Sequence, residues 1–396
     1  MLPPLPRRHE VNSHLKLVGL SDDLKDYLRP FEYAHSAVRG NKEALTRIAS
    51  EVCFDKFNDN VRYLEIRFSP QLLMGENLTC SQVVQIVLSS ATKTEAYLNS
   101  DTNPTKLPEF AKALGQTWPE FKVRFILCGI WGQEQWLKEI LDVIQELDPS
   151  HKYLVGIDMA GNSKSALSRP QSVRETEQLF NKAKLLNISR TFHAGEDGPA
   201  ETVIWAIEKL FCTRIGHGYR LSEDPVGWSR YLVEPKETYQ ASSYGAAPKL
   251  SESVSCQTNV APRGSPQQQQ TGGGNFQNLN GSSSGSRSSR GPHLRRGPHF
   301  EMCPLSSIYT NVKNMREEHV LKFIRPGKFN VSISTDNSSL HFSTLSTEYD
   351  HLELEYGWTF QDLCDSNINA LAAAFGDVDQ AYIELFREVY MGMQHL

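Results

Sequence analysis

The chain of 396 residues has 39% hydrophobic side chains, enough to bury a large core in one barrel or in two ordinary domains. Its 41 basic and 46 acidic residues are mixed along the sequence and give a net charge of −5. Such a mixture creates no field that attracts nucleic acid or an anionic membrane. We therefore expect a small-molecule partner, and neither nucleic acid nor a membrane.

The cysteines and the N-terminal sequence indicate a reducing compartment. Seven cysteines lie far apart without a CxxC pair, which argues against a disulfide framework and a thiolate zinc site. The opening MLPPLPRRHEVNSH lacks the apolar run of a signal peptide. No stretch approaches the roughly 20 apolar residues of a membrane span. These features predict a cytoplasmic protein.

Short β-branched runs alternate with amphipathic helical stretches, the pattern of parallel strands covered by helices. Seven strands are predicted, at Val61–Phe68, Val123–Cys128, Leu154–Met159, Ser189–His193, Thr213–His217, Phe300–Cys303 and Asn330–Ser334. The predicted helices include Glu43–Asp55, Gln133–Leu147, Val173–Leu186 and Ala200–Phe211. This pattern predicts an α/β protein, a (β/α)8 TIM-type barrel that is missing its first strand.

The start of that barrel is poorly defined in the sequence. His14–Leu20 is a weak candidate for the first strand, because it is short and leads directly into Ser21–Glu32, which has a helical pattern.

A second anomaly is a low-complexity segment between the predicted strands Thr213–His217 and Phe300–Cys303. Residues 236–298 are rich in Ser, Gly, Gln and Arg and contain few large apolar side chains, so we predict a disordered insertion. The barrel would then consist of residues 1–235 and 299–396. The basic stretch Arg287–Arg296 could contact RNA or a partner, but a solvated insertion is the preferred interpretation.

Polar residues follow three of the predicted strands, where an apolar core would be expected to continue. His193 and Glu196 lie in FHAGEDG, His217 lies in RIGHG, and Asp336 lies in SISTDN. Catalytic groups of such barrels converge at the carboxyl ends of the strands, so two imidazoles and a carboxylate could meet on one zinc ion there. Glu196, three residues after His193, would be positioned for general acid/base catalysis.

Each of these residues also has an ordinary structural interpretation. A single buried histidine is more often a hydrogen-bonded core residue than a ligand, and Asp336 would equally suit the N-cap of a following helix. The residues alone leave both alternatives open for Asp336.

Together these segments resemble the adenosine deaminase family. FHAGEDGPAE, RIGHGYRL, FEMCPLSS and SISTDN agree with its motifs in order and spacing, as do the earlier VRYLEIRFSP and VGIDMAG. The resemblance extends from about Leu15 to the C-terminus, apart from the insertion. It implies hydrolytic deamination of adenosine, and of 2′-deoxyadenosine, with one zinc ion per chain that lowers the pKa of bound water.

The resemblance also implies roles for individual residues. His193 and Asp336 would be zinc ligands, Glu196 would carry a proton from the zinc-bound water to N1 of the purine, and His217 would orient the attacking hydroxide. Substrate contacts are implied for Gly161, whose backbone amide would approach the purine, for Asp158 at the same rim, for Asn337 at N7, and for the apolar lid-like residues Tyr27, Leu28 and Phe31. The spacing of those last three residues would also suit core packing.

The sequence departs from the family at two places. The family's His-x-His-Leu-Asp motif on the first strand is missing, and His9 and His14, five residues apart, would lie on opposite faces of a strand. We therefore expect weak zinc binding and an open sheet edge, which favours instability or dimerisation. At Asn337 the family has an aspartate, so we expect weaker catalysis or altered specificity.

Two alternative functions remain. A catalytically impaired barrel could bind a nucleoside or a partner protein, although such a protein would not need Glu196. A deaminase of another adenine derivative, including a nucleotide, would need cations for phosphate, and the strand ends offer only Arg67 and Arg220. A purine nucleoside is therefore the preferred partner.

Overall fold

The computed structural model describes residues 29–108, 111–112, 115, 117–161, 166–231, 297–309, 330–341 and 343–393. All of them belong to one compact unit. The weak strand candidate His14–Leu20 lies outside the described residues, as does nearly all of the segment 236–298. The proposed domain boundaries therefore stay predictions.

The strands are short and every strand pairing is parallel. Their bounds are Tyr63–Phe68 (β1), Lys122–Ile130 (β2), Leu154–Ala160 (β3), Ser189–Arg190 (β4), His193–Ala194 (β5), Arg214–His217 (β6), His299–Met302 (β7) and Asn330–Ile333 (β8). They form two four-stranded sheets, in the orders β1-β2-β3-β4 and β5-β6-β7-β8. The strands of the prediction are therefore present, with boundaries that differ by one to three residues.

The predicted strand Ser189–His193 is divided between the two sheets. Its first part, β4, pairs with β3, and His193 at its end begins β5, which pairs with β6. The two residues between them still form ladder hydrogen bonds, since the Thr191 amide donates to the Ile157 carbonyl at 3.0 Å and the Phe192 carbonyl accepts from Gly216 at 2.9 Å. This stretch changes neighbours along its length and joins the two sheets into one parallel series.

The series has two edges within the described part of the chain. There, β1 pairs with β2 alone and β8 pairs with β7 alone. All six side chains of β1 are only partly buried, whereas those of β6 and β7 are fully buried. The open edge that the sequence predicts beside Val61–Phe68 stays a prediction, because residues 1–28 lie outside the described part of the chain.

Helices follow the strands and cover the outside of the sheet. They span Arg29–Val38 (α1), Lys42–Asn58 (α2), Cys80–Leu98 (α3), Glu134–Leu147 (α4), Pro170–Leu185 (α5), Ala200–Glu208 (α6), Pro225–Tyr231 (α7), Pro304–Tyr309 (α8), Ser338–His341 (α9), Leu345–Tyr356 (α10), Phe360–Ala373 (α11) and Gln380–Met393 (α12). No helix among these described segments is long and apolar enough to cross a membrane.

Local sequence explains where several helices begin. A capping box at Thr79 and Gln82 starts α3, and the Asn41 side chain accepts from the Ala44 amide at the start of α2. Apolar residues at helical spacing give α4 a buried face, which includes Leu137, Ile140 and Ile144. That face packs on β2 and β3, and the core continues through buried phenylalanines of the strands.

Candidate active site

Two histidines and a glutamate lie together at the carboxyl ends of neighbouring strands. In the register of β5 and β6, His193 lies beside Gly216 and Ala194 beside His217. The two imidazole centroids are 5.3 Å apart. Oε1 of Glu196 lies 3.8 Å from Nε2 of His217, whose side chain is only 5% exposed. The fold thus brings three of the predicted site residues to one point on the rim.

His193 is held from the interior of the sheet by a buried carboxylate. Its Nδ1 lies 2.8 Å from Oδ2 of Asp158, which is completely buried in β3. Burial alone would raise the pKa of Asp158, but the charges of Arg67 and His193 outweigh it and hold that pKa well below its usual range. Burial would lower the pKa of His193, and the Asp158 charge instead raises it above its ordinary value. The pair is therefore arranged to keep both partners charged.

Arg67 extends this charged arrangement. Its Nε lies 3.4 Å from Oδ2 of Asp158, one guanidinium nitrogen lies 3.5 Å from Nε2 of His193, and the other donates to Glu301. Arg214 donates from Nε to the second oxygen of Glu301 at 2.6 Å and also pairs with Glu65. The pKa of Glu301 lies well below its ordinary value, because the two arginines overcome the effect of burial.

This buried ion network was not assigned from sequence. Its signal is visible in the strands, however, where charged residues interrupt apolar alternation in YLEIRF, RIGH and HFEM. Charges are buried in a protein only when they are paired, so such residues in neighbouring strands would be expected to meet.

Asp336 and Asn337 lie in the turn after β8. Asp336 is exposed and has a left-handed backbone with φ of 50°. Its Oδ2 accepts from the Ser306 hydroxyl at 2.6 Å, and its Oδ1 accepts from Nδ2 of Asn337 at 2.7 Å. The Asp336 side chain therefore bonds within its own turn, to Asn337, and to Ser306 in the first turn of α8.

Comparisons with known proteins show the family to which the chain belongs. The family model for adenosine deaminase matches residues 3–238 and 293–390. The chain belongs to the adenosine deaminase family. It is therefore a member of a family of hydrolytic enzymes that act on C–N bonds of adenosine-like substrates.

Individual relatives extend the match over most of the deaminase. The adenosine deaminase of Rattus norvegicus is 26% identical over 392 residues, covering 96% of this chain and 86% of the rat protein. Among solved structures, adenine deaminase from Arthrobacter aurescens has a TM-score of 0.66 at 14% identity and covers 100% of this chain and 91% of its own. A cog1816 amidohydrolase from Burkhoderia ambifaria, with bound Zn, has a TM-score of 0.62 at 16% identity and 98% and 82% coverage.

A third solved structure is the N6-mAMP deaminase of Arabidopsis, with a TM-score of 0.60 at 15% identity, covering 97% of this chain and 88% of that one. These structural likenesses support the α/β fold of the TIM-barrel type that the sequence predicts for the deaminase.

The described residues of the deaminase do not by themselves make a metal site. Within the described ranges, no three His, Cys, Asp or Glu side chains come together to hold a metal ion. Both ring nitrogens of His193 face protein groups, Asp158 on one side and Arg67 on the other. A zinc site normally takes at least three protein ligands, so the described residues alone do not complete one. The ligand roles of His193 and Asp336 stay predictions.

Of the remaining predicted substrate contacts, the structure describes Gly161 and Phe31. Gly161 directly follows β3 with φ of 106°, and an added Cβ would meet only ordinary contacts, 3.5 Å from Ile130 and 3.9 Å from Trp131. Phe31 lies partly buried in α1, which contacts the turn after β1 at the same rim. Tyr27 and Leu28 lie outside the described residues.

Proposed function

We propose that the chain hydrolytically deaminates adenosine and 2′-deoxyadenosine, giving ammonia and the corresponding inosine nucleoside. The observation that carries this proposal is the Glu196 carboxylate 3.8 Å from the buried His217 imidazole, beside His193 at the strand ends. A nucleoside-binding module has no need of such an acid/base pair. The rat relative, named adenosine deaminase, matches most of the chain and supports the same reaction.

His217 and Glu196 have different roles in the reaction. Water adds to C6 of the purine, His217 orients it through a hydrogen bond, and Glu196 takes its proton and delivers that proton to N1. The C6 hydroxyl of the tetrahedral adduct then gives up its proton, which Glu196 passes to the amino group. The C6–N bond breaks, ammonia leaves, and the C6 carbonyl of the product forms. Atoms balance as adenosine plus water giving inosine plus ammonia. Positioned acid/base groups of this type typically contribute about 10² to 10⁴-fold in rate.

One zinc ion per chain is the second part of the proposal. The bound Zn of the Burkhoderia structure supports it, and His193 and Asp336 are the described residues that would contribute ligands. The ion, when bound, lowers the pKa of its water toward neutrality. A third ligand would have to come from residues outside the described ranges, among which the sequence offers His9 and His14.

Substrate recognition would involve the rim around the acid/base pair. Gly161 would present its backbone to the purine, Asp158 would support this rim through His193, and Asn337 would donate toward N7. The apolar residues Tyr27, Leu28 and Phe31 would cover the nucleoside. We place the reaction in the cytoplasm, as the cysteine pattern suggests, with a purine nucleoside as the small-molecule partner.

A nucleotide or another adenine derivative is the second candidate substrate. The Arabidopsis neighbours favour it, since one is named an N6-mAMP deaminase and another is described as complexed with IMP. Against it, the two arginines near the described strand ends are both engaged by carboxylates. Arg67 pairs with Asp158 and Glu301, and Arg220 lies 3.0 Å from Glu223. We therefore prefer the nucleoside.

The test is conversion of adenosine to inosine, followed by ultraviolet absorbance, on the purified full chain with and without added zinc. AMP, N6-methyl-AMP and adenine are assayed in parallel, and metal content is measured on the same samples. We expect the highest kcat/KM for adenosine, turnover that a chelator abolishes, and loss of turnover in Glu196→Gln. Adenosine binding by calorimetry without any turnover would overturn the proposal in favour of a binding protein. A higher kcat/KM for a nucleotide would replace the substrate.

A further inference from the structure

The chain after β6 takes an unusual path at His217. This residue has φ of 66°, a left-handed conformation that side chains other than glycine rarely adopt, and it is only 4% exposed. Gly218 follows with φ of 77°, and a Cβ there would lie 2.5 Å from the Phe300 ring. Two successive left-handed residues turn the chain sharply, so the direction of the His217 side chain depends on what holds this turn.

Part of the turn is held by the loop that carries Glu196. The Gly218 amide donates to the Ala194 carbonyl at 2.9 Å, and the Arg220 amide donates to the Gly195 carbonyl at 2.9 Å. The loops of the two acid/base residues are thereby joined through their backbones.

The other side of the turn is held by the side chain of Tyr219. This side chain is completely buried, and its hydroxyl accepts from the Cys303 amide at 3.1 Å and from the Ser307 hydroxyl at 2.7 Å. Cys303 connects β7 to α8, and Ser307 lies within α8. The Tyr219 ring also lies beside that of His217, with centroids 5.8 Å apart.

We infer that Tyr219 is a positioning residue, which sets the direction of His217 toward Glu196 by anchoring the left-handed turn to the start of α8. Its hydroxyl does not touch the reacting atoms and acts through His217. The inference deepens the proposed function and, for its kinetic effect, rests on it.

The kinetic test compares Tyr219→Phe with a matched control, Tyr382→Phe. Tyr382 is also buried, and its hydroxyl donates to the carbonyls of Arg62 at 3.2 Å and Glu120 at 2.7 Å, away from the strand-end residues. Both variants lose one buried hydroxyl. We expect Tyr219→Phe to lower kcat for adenosine by about 10- to 100-fold, because small displacements of a catalytic group are costly. KM should stay within about two-fold, since the change removes no substrate contact. Tyr382→Phe should keep the parental kcat.

A second readout does not depend on turnover. The chain is labelled with ¹³C in its histidine rings, and the His217 signal is assigned from its disappearance in His217→Gln. We expect Tyr219→Phe to shift that signal and Tyr382→Phe to leave it in place. An unmoved His217 signal, or equal kcat in the two tyrosine variants, would overturn the inference. If the parental chain does not turn over adenosine, the proposed function fails, and the ring signal still decides the role of Tyr219.

Discussion

Nδ1 of His193 lies 2.8 Å from Oδ2 of Asp158, a carboxylate with no exposed surface. A buried carboxylate of this type is stable as an anion only while its partners stay positively charged. The pair therefore ties the protonation of His193 to the stability of the fold.

Replacing Asp158 by Asn should destabilise the chain by roughly 3–5 kcal/mol, the usual cost of breaking a buried ion pair. The cost should depend on pH. Because the pKa of His193 is raised in the fold, its stabilising charge is fully present below about pH 6.5 and is lost as the pH rises through the higher folded-state value. The pKa of Asp158 is lowered, so its charge contributes at any pH above about 4.

The measurement is urea unfolding of the parental chain and of Asp158→Asn at about pH 5 and pH 9. A chelator is present, so that metal binding does not contribute to the difference between the two pH values. We expect the difference in unfolding free energy to be larger at the lower pH. A difference that grows toward pH 9 would contradict the assignment of a protonated His193.

Glu301 is the shared partner of two arginines, the partly buried Arg67 and the buried Arg214. Glu301→Gln keeps the size of the side chain but removes the negative charge that the two guanidinium groups share. We expect a loss of roughly 3–5 kcal/mol in unfolding free energy. The matched control is Glu208→Gln, which breaks the exposed pair with Arg230 and should leave the unfolding free energy almost unchanged. Similar losses in the two variants would show that the buried network is not held by charge.

Much of the fold follows from local patterns in the sequence. The β-branched runs and the spacing of apolar residues predicted the parallel strands and helices such as Glu134–Leu147, because those patterns reflect which face of an element is buried. The spacing of His193 and Glu196, with His217 on the next strand, predicted which residues meet, since the carboxyl ends of parallel strands lie at one edge.

Other features depend on contacts between distant parts of the chain. The division of Ser189–His193 between two sheets depends on which neighbour each residue meets, and residues of one short strand carry no such information. Likewise the pairing of Arg67 with Glu301 joins residues 234 positions apart. The left-handed turn at His217 follows from the packing of Tyr219 and Phe300 around it. The spacing of apolar residues along the sequence gives no information about such packing.

Glu348 offers a stability test at a second buried carboxylate. It is completely buried in α10, accepts from the Leu305 amide at 3.0 Å, and burial raises its pKa to about 7. A raised carboxyl pKa means that the folded state prefers the protonated form. Its contribution to stability is therefore present below about pH 4.5 and is lost as the pH rises to 7, by about 3 kcal/mol.

Glu348→Gln removes that ionisation and keeps an acceptor for the Leu305 amide. We expect the variant to unfold at a higher urea concentration than the parental chain at pH 8, and to show little difference at pH 5. Equal stability of the two chains at pH 8 would mean that Glu348 ionises without penalty.

Replacing Gly161 by Ala tests two separate properties, the backbone conformation at this position and a contact with the substrate. Its φ of 106° is one that alanine rarely adopts, so Gly161→Ala should cost about 1–3 kcal/mol of unfolding free energy even though the added Cβ meets nothing closer than 3.5 Å. If the purine approaches this backbone, as we propose, the methyl group should also occupy substrate space. We therefore expect KM for adenosine to rise by at least about 10-fold, equivalent to about 1.4 kcal/mol.

The two effects are measured on the same protein, by urea unfolding and by initial rates at a temperature where the variant is fully folded. Gly115→Ala is the control, since Gly115 has φ of 62°, an added Cβ there would meet no neighbour, and the residue is exposed. The control should lose stability without a change in KM. Loss of stability with an unchanged KM at Gly161 would place the purine elsewhere on the rim.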